Sequence, residues 1–183
     1  MPQISFKSFM NNSAPIYSAL IAQPFRDELT GVNFKELLTP AEVDAALNRQ
    51  DDKTILAVLN SVGGCAAHSA RPAVILSMIH AVVPDEYVTL FAGMEKEAVE
   101  HFRKNYLQAP VPSSPNIAVF KNRHLLHYLQ RHHIKGKTAG DIAKELTGVF
   151  DKVCTKRNSP EEIDKLKSYI ANKYQVSIES LNS

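Results

Sequence analysis

Between residues 14 and 29 the apolar residues Ile16, Leu20, Ile21 and Phe25 recur at near-helical spacing, which predicts a helix from about Ala14 to Leu29 with Pro24 inside it. The dozen residues before it are polar and lack a clear period. Thr39-Pro40-Ala41-Glu42 is a capping box with proline at the first helical position, so a short helix should run to about Asn48. From Thr54 to Leu59 the chain is β-branched and apolar with little alternation, as expected of a strand covered on both faces.

A helix should then run from about Gly64 to Ala81, kinked where Pro72 removes one hydrogen bond and crowds the turn before it. Tyr87 to Phe91 reads as a second strand ending at Gly93, and Met94 to Leu107 as a helix with Val99, Phe102, Tyr106 and Leu107 on one face. Beyond the proline-rich segment 110–115, Asn116 to Phe120 and Leu125 to Leu129 form two apolar runs separated by Lys121-Asn122-Arg123-His124, the signature of an antiparallel hairpin. Thr138 caps a helix that buries Ile142, Leu146, Val149, Phe150 and Val153, and Ser159-Pro160-Glu161-Glu162 starts a last amphipathic one bearing Ile163, Leu166, Ile170 and Tyr174.

The resulting order, β-α-β-α-β-β-α, begins with parallel strands because the connections are long enough to cross over. It predicts an α/β three-layer sandwich, a mixed central sheet with helices on both faces and extra helices at both ends. At 183 residues with 44% hydrophobic content, one domain spanning 1–158 with an N-terminal helical extension, followed by an amphipathic appendage at 159–183, fits the chain best. A formal net charge of +2 with interspersed signs argues against a nucleic-acid partner. The two cysteines and the lack of a long apolar run point to a cytoplasmic protein without a membrane span or disulfide framework.

The candidate chemistry starts with Cys65, which follows the first strand and two glycines, Gly63 and Gly64, and lies in the first turn of the next helix. Unpaired N–H groups and the helix dipole favour a thiolate there, and the thiolate is the reactive form. The alternative is a small packed hydrophobe. His68 and Arg71 lie three and six residues further on, and either would favour the thiolate if it faced the sulfur. The bland expectation is that both face solvent, with Arg71 on a different face. Cys154, far along the chain, is not expected to bridge to Cys65, because a disulfide needs Cα atoms within about 7 Å. The histidines His124, His127, His132 and His133 raise a zinc reading, but they lack a recognisable ligand spacing and no metal is expected.

A cysteine after the first strand and a proline just before the hairpin make this order the thioredoxin-like layout. About one X-Pro bond in twenty is cis in folded proteins, and Ser114-Pro115 occupies the place where that layout uses one to turn the backbone toward a helix start. The segments Asn60-Ser61-Val62-Gly63-Gly64-Cys65-Ala66-Ala67, Ala70-Arg71-Pro72, Thr89-Leu90-Phe91-Ala92-Gly93 and Pro112-Ser113-Ser114-Pro115 resemble the bacilliredoxins, formerly described as disulfide isomerases. Phe25-Arg26-Asp27-Glu28-Leu29-Thr30-Gly31, Arg131-His132 with Ile134 and Gly136, and Cys154 after Phe150-Asp151 extend the resemblance, which covers about residues 20 to 154.

The resemblance implies a Cys-Gly-Cys motif, whose first cysteine attacks a mixed disulfide between a protein and a low-molecular-weight thiol such as bacillithiol, while the second resolves it. Here Gly63 stands at the first position, Gly64 at the spacer and Cys65 at the second. The principal nucleophile is therefore missing, and no local dithiol cycle can run. Two expectations follow: monothiol exchange through Cys65 on S-thiolated proteins, with a small thiol as co-substrate and no resident cofactor, or a redox-inactive peptide-binding module. In either case Gly63, Gly64, Ser114 and Pro115 would border the substrate. Homodimer formation is left open.

Overall fold

The computed structural model describes residues 14–182; the aperiodic residues read at the extreme N-terminus lie outside the described residues. A five-stranded sheet has the order β1-β4-β2-β5-β6, built from β1 (Lys35–Glu36), β2 (Thr54–Asn60), β4 (Glu86–Phe91), β5 (Asn116–Lys121) and β6 (His124–Leu129). β2 is parallel to β4 and antiparallel to β5, so the α/β crossover and the hairpin stand where the hydrophobic pattern put them. The hairpin turn is tighter than the four polar residues suggested: only Asn122 and Arg123 lie between the strands, both at positive φ. That matches a two-residue turn whose twist suits paired strands.

Every residue of β2 is buried, and its two faces feed different cores. Leu56 and Val58 pack with Leu29 of α1 (Ala19–Thr30), Ala73, Val74 and Ile75 of α3 (Arg71–Ser77), and Ile142, Leu146 and Phe150 of α6 (Ala139–Val153). Ile55, Ala57 and Leu59 face Val43 and Leu47 of α2 (Pro40–Leu47) and Ala98, Val99 and Phe102 of α4 (Lys96–Phe102). This strand period of two, read out on two helical layers, makes the three-layer thioredoxin-like α/β fold.

The caps at Thr39, Thr138 and Ser159 all form, each side chain accepting an N–H three residues on. The first helix is shorter than the pattern suggested and starts after Ser18, whose hydroxyl accepts from Ile21 N–H, with Pro24 carried inside it. The helix expected to run through 81 stops at Ser77 and is not regular before that. Ala66–Ala70 forms a π turn closed by the Arg71 N–H on Ala66 O. Pro72 explains the irregularity: it has no N–H to continue the α ladder, and the chain takes up the defect in the turn just before it.

Past α3, β3 (Val82–Val83) pairs with β7 (Lys156–Arg157), two strands too short for any periodicity to announce. Asn158 then donates from its side chain to Met78 O and His80 O, capping carbonyls left free at the end of α3. A short helix, α5 (Arg131–Ile134), follows the hairpin, and α7 (Pro160–Tyr174) lays Ile170, 1% exposed, into the core beneath α3 and α6. Among the described residues no helix is long and apolar enough to cross a membrane.

Candidate functional site

The site forms where β2 ends. Asn60 is the last residue of the buried strand, Gly63 and Gly64 are exposed, and Cys65 follows, half-buried, in helical conformation with no capping bond from its side chain. Neither glycine has a positive φ, and a Cβ built at 63 would meet nothing nearer than Ser61 Oγ at 3.9 Å. The backbone at 63 therefore places no conformational demand for glycine. At 64 the nearest neighbour of such a Cβ would be His68 Cδ2, also at 3.9 Å, which sets the exposed His68 ring over the turn before Cys65.

β5 begins on the same side of the sheet. Asn116 pairs with Leu59, so the preceding Ser114–Pro115 peptide, which is cis, lies beside the end of β2. Its approach is held by polar contacts: Asn116 Nδ2 donates to Ser113 O at 3.1 Å, and Arg103 Nη2 donates to the same carbonyl at 2.8 Å. Pro115 is buried and Ser114 half-buried. The neighbouring end of β4 belongs to the same surface, since Asn60 pairs with Phe91 and Asn60 O accepts from Ala92 N–H.

Arg71 does not face solvent, as the sequence alone suggested; it is 1% exposed. Its Nε donates to Glu28 Oε2 at 3.0 Å, and its Nη1 to Asn60 Oδ1 at 3.0 Å and Ser61 O at 2.9 Å. The π turn is the reason: an extra residue per turn rotates Arg71 away from the face that regular spacing assigns it. Asn60, Glu28 and Phe25 are the neighbours that sequence reasoning left without a role, and the one local hint was a polar Asn60 closing an otherwise apolar strand.

Cys154 lies at the opposite end of the strand. It is 8% exposed in the core with Leu146 and Phe150, and burial pushes its thiol above the ordinary range, with Thr54 offsetting part of that. Thr54 and Asn60 are the two ends of β2, separated by six rises of 3.2–3.4 Å, or about 20 Å. Both cysteines are free, and the strand between them keeps them apart. The histidines make other contacts: His127 meets Glu145 at 3.1 Å, and the His132 and His133 rings lie tilted against each other with centroids 3.9 Å apart. Among the described residues no cluster of three or more potential ligands could hold a metal ion.

A half-buried thiol thus stands at the end of a central strand whose neighbour enters through a cis proline. The family model described as "Disulphide isomerase" matches residues 17–154. A bacilliredoxin of Salinibacter ruber is 42% identical over 150 residues, covering 80% of this chain and 86% of its own. One of Cytophaga hutchinsonii is 44% identical over 138 residues, covering 75% of this chain and 100% of its own. The chain belongs to the bacilliredoxin family. The solution structure of the oxidised thioredoxin from Plasmodium falciparum is also similar, with TM-score 0.41 and 17% identity over 67% of this chain and 100% of that one. Membership supports a thiol-disulfide redox function in the broad sense.

Proposed function

We propose that this protein exchanges disulfides as a monothiol on proteins carrying a low-molecular-weight thiol adduct, with Cys65 as the attacking sulfur. The carrying observation is the placement of Cys65: half-exposed, after two exposed glycines, at the end of the strand that faces the cis peptide. In the first step the Cys65 thiolate attacks the small-thiol sulfur of the mixed disulfide. A new S–S bond joins Cys65 to the small thiol, and the substrate cysteine leaves as a thiolate that takes a proton from solvent. In the second, another molecule of small thiol attacks that bond, leaving as the small-thiol disulfide and restoring Cys65. Bacillithiol is the co-substrate that family resemblance favours, and no resident cofactor is needed.

Gly63, Gly64, Ser114 and Pro115 border the path by which an extended substrate would approach, and His68, exposed beside Gly64, is a candidate to favour the Cys65 thiolate. The second reading, a redox-inactive module that holds peptides along the same groove, is favoured by one observation, the glycine at position 63. Turnover of a bacillithiolated protein separates the two. Freeing of the substrate cysteine by wild type, with the small thiol leaving as its disulfide, and the loss of both in Cys65→Ser supports exchange; peptide binding with neither product in either protein would replace it by the module.

A further inference from the structure

Burying a guanidinium is expensive unless its donors are met, so a fully buried arginine calls for an account of what it holds. Arg71 holds the start of the Cys65 loop. Its Nη1 bonds Ser61 O and Asn60 Oδ1, and the same Asn60 Oδ1 accepts the Ser61 N–H at 2.8 Å. Ser61 is thus fixed at both its N–H and its C=O by one side-chain pair, four residues before the thiol. The other end of the network is α1: Arg71 Nε bonds Glu28, its guanidinium lies 4.8 Å over the Phe25 ring, and Asn60 Nδ2 donates to Phe25 O at 2.9 Å. From Gly63 the tie runs on to the helix, because Gly63 O accepts the Ala67 N–H.

The helix α7 comes close to this network. Tyr174 of α7, whose buried hydroxyl has no partner, lies within electrostatic reach of both Glu28 and Arg71, and Arg71 Nη2 is likewise buried without one. Neither contact touches the reacting sulfur. What they determine is where the loop sits.

We propose that Arg71 is a positioning residue for Cys65, fixing Ser61 and with it the Gly63-Gly64 turn against α1, so that the thiol is presented at the end of β2 in one orientation. The inference rests on the reading of Cys65 as the reacting sulfur. A planar fork is needed, since one nitrogen meets a side-chain oxygen and a backbone carbonyl while another meets a carboxylate; a lysine ammonium restores the charge and not the geometry.

The test is the pH profile of Cys65 alkylation by iodoacetamide in the full chain, followed peptide by peptide so that buried Cys154 reports folding in the same sample. For Arg71→Met the rate at pH 7 should fall at least fivefold with the profile displaced to higher pH, and for Arg71→Lys at least threefold, while Cys154 stays protected. Profiles within twofold of wild type in both variants, with Cys154 protected, would overturn the proposal. Should Arg71→Met expose Cys154, Asn60→Ala decides: it cuts the tie to Ser61 N–H, and a Cys65 profile unchanged by it overturns the proposal equally. A wild-type protein that alkylates readily yet frees no substrate cysteine from a bacillithiolated protein sinks the exchange function and leaves this inference standing.

Discussion

Two cysteines mark the ends of one strand, and their surroundings are opposite. Cys65 follows an exposed pair of glycines on an irregular turn, whereas Cys154 is sealed under Phe150 beside Thr54, where desolvation holds its proton. The lesson is that the exposure of a sulfur here is set by which end of β2 it occupies: the strand end opens onto loops and a cis peptide, and its start is closed by the core. A thiol buried in apolar surroundings is inert, and one on an open turn can reach its substrate.

The sharpest way to break the contrast is Cys65→Ser, which should lower the protein-dependent freeing of the substrate cysteine by roughly a hundredfold or more, since Cys154, the chain's other thiol, is buried. Cys154→Ser in the same assay should leave the rate within about twofold; equal losses in the two variants would erase the distinction. Next in size is Gly63→Cys. A side chain at 63 fits without strain, so the variant should form a 63–65 disulfide on oxidation and raise turnover by about tenfold through an adjacent second thiol. A mass unchanged by oxidation would show that the turn cannot bring the two sulfurs together.

Stability should respond at the other end. Cys154→Ala removes a buried sulfur and should cost about 1 to 2 kcal/mol by urea unfolding, against less than about 0.5 kcal/mol for Cys65→Ala. Equal costs would mean that Cys65 is packed as firmly as Cys154. The smallest effect is on pH dependence. Because the folded protein holds the Cys154 proton more tightly than the unfolded chain does, this stabilisation is complete below the ordinary thiol range and is lost as pH rises above about 8.5. Wild type should therefore lose more stability than Cys154→Ala between pH 8 and 10, a difference that includes the coupling of the Tyr87 phenol to the Cys154 thiolate. Parallel curves would assign the alkaline loss to the phenols alone.

Much of this arrangement could be read from residues one after another. The continuous apolar run of β2, the caps at Thr39, Thr138 and Ser159, and the two hairpin runs announce themselves within a few positions, because each signal is local. The placement of Cys65 at the entry of a helical turn was legible for the same reason. Arg71 was not: its partners Glu28 and Asn60 come from different elements, and a charged residue six positions after a cysteine looks like surface until a π turn rotates it inward. The strands β1, β3 and β7 have two residues each and are defined by their partners alone. Gly63 was legible as an absence of sulfur, and only the structure shows that the backbone there would accept one.

Asn158 gives the molecule a schedule. Its amide completes the carbonyls at the end of α3, and Ile170 closes the core below that helix, yet both follow Cys65 by some ninety residues or more. On a ribosome, where the chain emerges from its N-terminus, β2 and the thiol turn are out well before anything can cap the helix that carries them. The sulfur is therefore made early and finished late, and until residues 158 to 170 have followed, the nascent chain carries its thiol on a helix without its last supports.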